Sequence, residues 1–255
     1  MASKSEVRVL NAPADLFQAA AAEFSRLANE AVRARGRFCV ALSGGSTPKS
    51  LFALLASGAV PSIPWDKICF FFGDERHVPP DHPDSNYRMA NEAMLSKVPL
   101  RPENVFRVRA EEKDAAVAAQ AYEQTLISFF HLSPGEFPRF DLVLLGMGPD
   151  GHTASLFPGS RALQEKSRLV VSNWVEKFKT DRITVTFPVI NHAAFIMFMV
   201  SGPDKAQPLH EVLENSASDL PSRRVQPVEG TLLWLVDRAA ATALSTQAME
   251  NFRTA

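Results

Sequence analysis

The chain has 255 residues and is 46% hydrophobic, enough to bury one continuous core, so a single domain over residues 1–255 is expected. Lys plus Arg total 27 against 28 Asp plus Glu, a net charge of -1; no global field draws the protein to nucleic acid or to an anionic membrane, and any anion site has to be local. No stretch approaches the ~20 apolar residues of a membrane span, and the start, Met1-Ala-Ser-Lys-Ser-Glu6, lacks an apolar signal core, which together predict a cytoplasmic protein.

Short apolar runs alternate with helical patterns from end to end. Val7 to Leu10 reads as the first strand. Pro13 to Arg35 places Leu16, Phe17, Ala20, Phe24, Leu27 and Ala31 on one helical stripe, with Gly36 as its stop. Strands follow at Phe38 to Leu42 and Ile68 to Phe72; they contain the two cysteines, Cys39 and Cys69, which read as core residues of a reducing compartment. A helix is expected over Asp114 to Phe130, then strands at Leu142 to Leu145, Ile183 to Phe187, Phe195 to Val200 and Leu232 to Val236, and a last helix over Arg238 to Phe252. Cys69-Phe-Phe-Phe72 and Phe195 to Val200 are apolar on successive residues, as a parallel sheet covered on both faces requires. The pattern predicts an α/β fold with a single doubly wound, mainly parallel sheet flanked by helices, whose ligands bind beyond the carboxyl ends of the strands.

Three post-strand loops carry the chemistry. In Leu42-Ser-Gly-Gly-Ser-Thr-Pro-Lys49, Gly44 and Gly45 let backbone approach an anion, Ser46 or Thr47 can cap the following helix, and the free N–H groups suit phosphate. The spacing is not that of a P-loop. In Gly73-Asp-Glu-Arg-His77, the residues Asp74, Glu75 and Arg76 can orient one another and a polar substrate, or simply end a strand as a solvated charge run; Ser85-Asn-Tyr87 is placed to begin a helix over the cleft. The third loop, Gly146-Met-Gly-Pro-Asp-Gly-His-Thr-Ala-Ser-Leu-Phe-Pro-Gly159, satisfies G-x-G-x-x-G literally, yet Pro158 and Gly159 stop any helix and position 171 is a valine, so a dinucleotide site is disfavoured. Asp150 and His152 remain to face a compact substrate, an imidazole being suited to take a proton from water near neutral pH; the alternative is a loop histidine bonded to backbone. Arg182 and Lys205 lie near strand ends and supply cations. His77, His82, His131, His192 and His210 show no metal-ligand spacing, and a G-x-S-x-G elbow is absent.

These motifs, with Arg182-Ile-Thr-Val-Thr-Phe-Pro188 and Gly202-Pro-Asp-Lys-Ala206, closely resemble the 6-phosphogluconolactonase family along nearly the whole chain. The Gly-Gly-Ser loop and Asp-Gly-His segment also look like those of glucosamine-6-phosphate deaminases. The resemblance implies a fold of the deaminase and ribose-5-phosphate isomerase type, and hydrolysis of a phosphorylated sugar lactone, 6-phospho-glucono-1,5-lactone, to 6-phosphogluconate in the pentose phosphate pathway. It implies no cofactor; the histidine spacing indicates no metal site, and a monomer or small homo-oligomer is expected. By the same resemblance His152 is the base that activates water, Asp150 orients it, and Arg76 stabilises the oxyanion or holds sugar hydroxyls. Gly44, Gly45, Ser46 and Thr47 receive the phosphate with Arg182 and Lys205, and Asp74 joins the substrate-binding set. The rival readings are a deaminase or isomerase of the same architecture, with Asp74 as base, and a sugar-phosphate sensor without catalysis.

Overall fold

The structure, a computed structural model, describes residues 4–60, 62–251 and 253–254. The strands are β1 (Lys4–Leu10), β2 (Phe38–Leu42), β3 (Ile68–Phe72), β4 (Asp74–Arg76), β5 (Leu142–Gly146), β6 (Val170–Val175), β7 (Thr180–Val185), β8 (Phe195–Val200), β9 (Thr231–Asp237) and β10 (Arg253–Thr254). The helices are α1 (Pro13–Arg35), α2 (Ser46–Ala56), α3 (Asn86–Ala93), α4 (Ala115–Phe130), α5 (Phe187–Asn191), α6 (Ala206–Leu213) and α7 (Thr246–Asn251). Among the described residues no helix is long and apolar enough to cross a membrane.

Seven strands form one sheet in the order β10-β1-β9-β8-β5-β2-β3, and every pairing within it is parallel. Every residue of β2, β3 and β8 is buried, so their unbroken apolar runs need cover on both faces, which the flanking helices give. α1 ends at Gly36, whose φ of 76° and N–H to the Val32 carbonyl close the last turn. Its buried face is Leu16, Ala20, Ala21, Phe24, Ala28 and Ala31; Phe17 and Leu27 of the expected stripe sit at its margin. Each fully buried Leu or Phe contributes about 1.5–3 kcal/mol to such packing. At the sheet's edge, Tyr122 of α4 accepts from the Phe72 N–H at 2.8 Å and donates to the Phe72 carbonyl at 3.1 Å, standing in for a further strand.

A second sheet departs from the expected single one. β4, β7 and β6 form an antiparallel three-stranded sheet in that order. The run Ile183 to Phe187, expected in the central sheet, is β7 of this smaller one, and Phe187 opens α5. A short apolar run does not reveal which sheet it joins, and β4 is mostly charged. Gly73 couples the two sheets: its N–H bonds the Leu42 carbonyl at 2.8 Å, and its carbonyl accepts from Val185 N–H at 2.9 Å. The helix expected over 238–252 is shorter, confined to α7 after a turn-rich segment; Phe252 and residues 1–3 of the expected leader-free start lie outside the described residues.

Candidate active site

The strand order reverses between β2 and β5, where such sheets bind ligands. A cavity of about 240 Å³ opens there. It is floored by Met147 and Met199 and walled by the loops that follow β2, β3, β5 and β8.

On one wall, Gly45 takes φ 105°, a conformation suited to glycine, and α2 begins at Ser46. Ser46 and Thr47 therefore lie inside the first turn, and neither side chain caps the helix; the N-terminal amides face the cavity region with no side-chain cap, an arrangement that suits an anion. Gly44 is needed for another reason, since a methyl group there would overlap the Asn86 amide. That amide donates from Nδ2 to the Asp74 carbonyl at 3.0 Å and to its Oδ1 at 3.3 Å, while Ser155 Oγ donates to Asp74 Oδ2 at 2.7 Å. Asp74 is thus buried, oriented from both sides and part of the lining.

Glu75 is turned away. It accepts from Arg76 N–H, Asn86 N–H, Tyr87 N–H and Ser85 Oγ at 2.7–3.1 Å, tying the start of α3 to β4. Burial lifts its carboxyl above the ordinary range against the pull of those backbone donors. Ser85 is the N-cap of α3, accepting from Arg88 N–H.

Arg76 lines the cavity and donates from Nη1 to the Asp84 carbonyl at 2.7 Å. Across the β4–β7 ladder it faces Arg182. Like charges placed directly opposite repel, and the Nε atoms of both are buried without a hydrogen-bond partner. Burial, then the Arg76 charge, holds Arg182 below the usual arginine value. The pair concentrates positive charge beside the cavity.

The opposite wall is the loop after β5. It is closed by Gly148 N–H to the His152 carbonyl at 2.9 Å and Gly151 N–H to the Gly148 carbonyl at 3.0 Å. The His152 ring lies so close to Gly148 that a methyl group there would overlap its Nδ1 and Cε1 atoms, and the ring stacks on Phe157 with centroids 4.0 Å apart. Nδ1 is hydrogen-bonded to Asp150. Burial raises the Asp150 carboxyl, but the hydrogen bond and charge of His152, with Lys177 beyond, outweigh it and hold the group well below the ordinary range. An ionised carboxylate only accepts, so Nδ1 carries the proton, and Nε2, which has no hydrogen-bond partner among the described residues, is the ring nitrogen left to accept one. Ala154, also on the lining, takes φ 47°, a left-handed conformation costly for a residue with a side chain. Lys205 follows β8, in a turn fixed by Asp237, which accepts from Ser201 Oγ at 2.5 Å and from Gly202 N–H at 3.2 Å.

A profile described as glucosamine-6-phosphate isomerases/6-phosphogluconolactonase matches residues 11–234. The chain belongs to this family. It is 50% identical over 217 residues to a 6-phosphogluconolactonase of Nostoc sp., covering 84% of this chain and 88% of that one. The solved 6-phosphogluconolactonase of Trypanosoma brucei superposes with a TM-score of 0.85 at 31% identity, over 95% of this chain and 99% of that one. A monomeric glucosamine-6-phosphate deaminase, at 20% identity and a TM-score of 0.75, covers 95% of this chain and 100% of its own, and shares the fold.

Within the family frame, the structure brings Gly44, Gly45, Ser46, Thr47, Asp74, Arg76, His152 and Lys205 onto one cavity. Two expected residues stand behind it. Asp150 supports His152 and borders a separate groove of about 860 Å³ along β6, and Arg182 backs Arg76 with its guanidinium 5.3 Å from the Phe178 ring centroid. Asn86 and Ser155, which aim Asp74, were not singled out individually in the sequence; Ser155 lies 81 positions from Asp74. Phe157 and Lys177 also escape sequence reading, although Phe157 belongs to the long loop motif.

Proposed function

We propose that this chain hydrolyses 6-phospho-glucono-1,5-lactone to 6-phosphogluconate, the pentose phosphate pathway step for which its relatives are named. The observation that carries the mechanism is the Asp150–His152 pair, which leaves Nε2 free beside a cavity with cations and helix amides on its other walls. His152 Nε2 takes a proton from water as the water oxygen bonds to the lactone carbon. Charge gathers on the carbonyl oxygen, where Arg76 stabilises it. The C1–O5 bond then breaks, and the imidazolium returns its proton to the departing ring oxygen, so no proton is gained or lost by the protein. A lactone needs no covalent intermediate for this.

The Gly44 to Thr47 amides at the start of α2, with Lys205, receive the phosphate, and Arg182 adds charge from behind Arg76. Asp74 takes sugar hydroxyls. Binding energy at the phosphate, remote from the reacting carbon, holds the carbonyl near the attacking water. One domain, in the cytoplasm, is the reading we favour; the shared core of the two sheets and the buried free thiols Cys39 and Cys69 support it.

The test is a comparison of substrates. The phosphorylated lactone should turn over well, glucono-1,5-lactone without phosphate should lose at least about 100-fold in kcat/KM, and glucosamine 6-phosphate should release no ammonia. Ammonia release at a comparable rate would replace the lactonase reading with the deaminase one.

A further inference from the structure

The connection between β6 and β7 is a single turn, Glu176–Phe178, followed by Lys179 in the left-handed region at φ 50°. Two of its side chains reach the loop that holds the imidazole, at different points. Lys177 Nζ lies 3.4 Å from Asp150 Oδ2, the oxygen not engaged by His152. Phe178 meets Phe157 edge-on, with centroids 5.9 Å apart and planes at 78°. Phe157 is the ring on which His152 stacks. Arg182, at 5.3 Å from the Phe178 centroid, ties the same ring to β7.

Phe178 is 47% exposed, and Lys177 is exposed as well. Exposed side chains on a hairpin tip ordinarily tolerate replacement with little effect on stability. Here both converge on one small loop, through charge at its carboxylate and through packing at its imidazole. The imidazole ring stacks on Phe157 and leaves no room for a β-carbon at Gly148, and Phe178 packs edge-on against that same Phe157 ring.

We propose that the tip of the β6–β7 hairpin is a positioning element for the reaction: Phe178, through Phe157, fixes the plane of the His152 ring, and Lys177 sets how strongly Asp150 holds a proton on that ring. The proposal rests on His152 being the base. Its electrostatic half has a definite sign. The charged groups around the imidazole are Asp150 on its own loop, Lys177 on the hairpin, Asp74 and Arg76 on β4, and Lys205 after β8. Lys177 partly neutralises Asp150, so its ammonium weakens the carboxylate's stabilisation of imidazolium. Removing it lets Asp150 favour imidazolium more, and the base is lost to protonation at a higher pH.

Four variants, each checked for an unchanged melting temperature, test this by steady-state kinetics against 6-phosphogluconolactone across pH. Phe178→Ala should lower kcat about tenfold with KM within about twofold, as expected when ring orientation alone is disturbed, and Phe178→Tyr should restore it. Lys177→Met should move the acid limb of the pH–rate profile up by a few tenths of a pH unit in dilute buffer, with the difference closing near 1 M salt, where the Debye length is ~3 Å; Lys177→Arg should not move it. Wild-type kcat, KM and acid limb in both Phe178→Ala and Lys177→Met, or a fall in kcat that tracks lost stability and is not rescued by Tyr, would overturn the proposal. His152→Ala run alongside separates the two levels: full activity there removes the base itself, whereas its loss beside wild-type behaviour of the hairpin variants removes only the role of the hairpin.

Discussion

Gly148 shows how a residue with no side chain can fix the place of a neighbouring ring. The His152 ring fills the space where a β-carbon would stand, and Asp150 Oδ1 lies beside it. Gly148→Ala should force the ring away from its place against Phe157. Because displacements near 1 Å cost about 100-fold in rate, we expect a loss of that order in kcat with a folded protein by circular dichroism; unchanged kcat would mean that the ring has room the packing denies it. Asp150 acts on the same ring from its edge. Asp150→Asn should lower kcat by about 100-fold or more, since a neutral amide neither holds the tautomer nor stabilises the imidazolium. The depressed carboxyl also fixes a pH window. A carboxyl held below its unfolded value of ~3.9 contributes stability above that pH and loses it as pH falls toward the folded value. The wild type's thermal advantage over Asp150→Asn should therefore shrink as pH falls below about pH 4. It should be modest, since solvent reaches the site.

At the scale of elements, β4 and α3 depend on one carboxylate. Glu75 gathers three backbone N–H groups and the Ser85 hydroxyl on its two oxygens. Glu75→Gln replaces an acceptor by a donor that faces donors, and each unsatisfied buried group costs about 1–3 kcal/mol. Urea denaturation should show a loss in that range. An unchanged midpoint would show that the charge cluster after β3 is the solvated run its sequence also allows. That ambiguity marks what could be read in advance. The strands β2, β3 and β8 were legible to the residue because buried parallel strands are apolar throughout, and α1 because its stripe and Gly36 agree. Asp74, Glu75 and Arg76 could not be separated: which side chain faces the cavity depends on β4 pairing with β7, more than a hundred positions away. Even the existence of that second sheet was hidden, because β4 is too short and charged for a strand pattern and β6 mixes buried and exposed positions.

At the scale of the molecule, chemistry comes from bringing distant loops to one edge. The phosphate-suited amides follow β2, the arginine follows β3, the imidazole follows β5 and the lysine follows β8, and the parallel sheet delivers all four at the same carboxyl edge. Their loops were legible as motifs because each needs glycine or an ionisable residue at a fixed place. Their mutual placement was not, because it is set by the strand order. The smaller sheet adds the Arg76–Arg182 pair and the hairpin that meets Asp150. One buried apolar cluster runs through both sheets, including Val170, Ile183 and Val185 beside the central strands, so loss of packing in the small sheet is felt at the site. The account stands on His152 as the base in lactone hydrolysis. The most direct measurement is proton release from freshly generated 6-phosphogluconolactone, above its spontaneous background, for the wild type and His152→Ala at equal folded concentration. We predict fast turnover by the wild type and a fall of at least about 100-fold for the variant; turnover by His152→Ala at the wild-type rate, or none by the wild type, would contradict it.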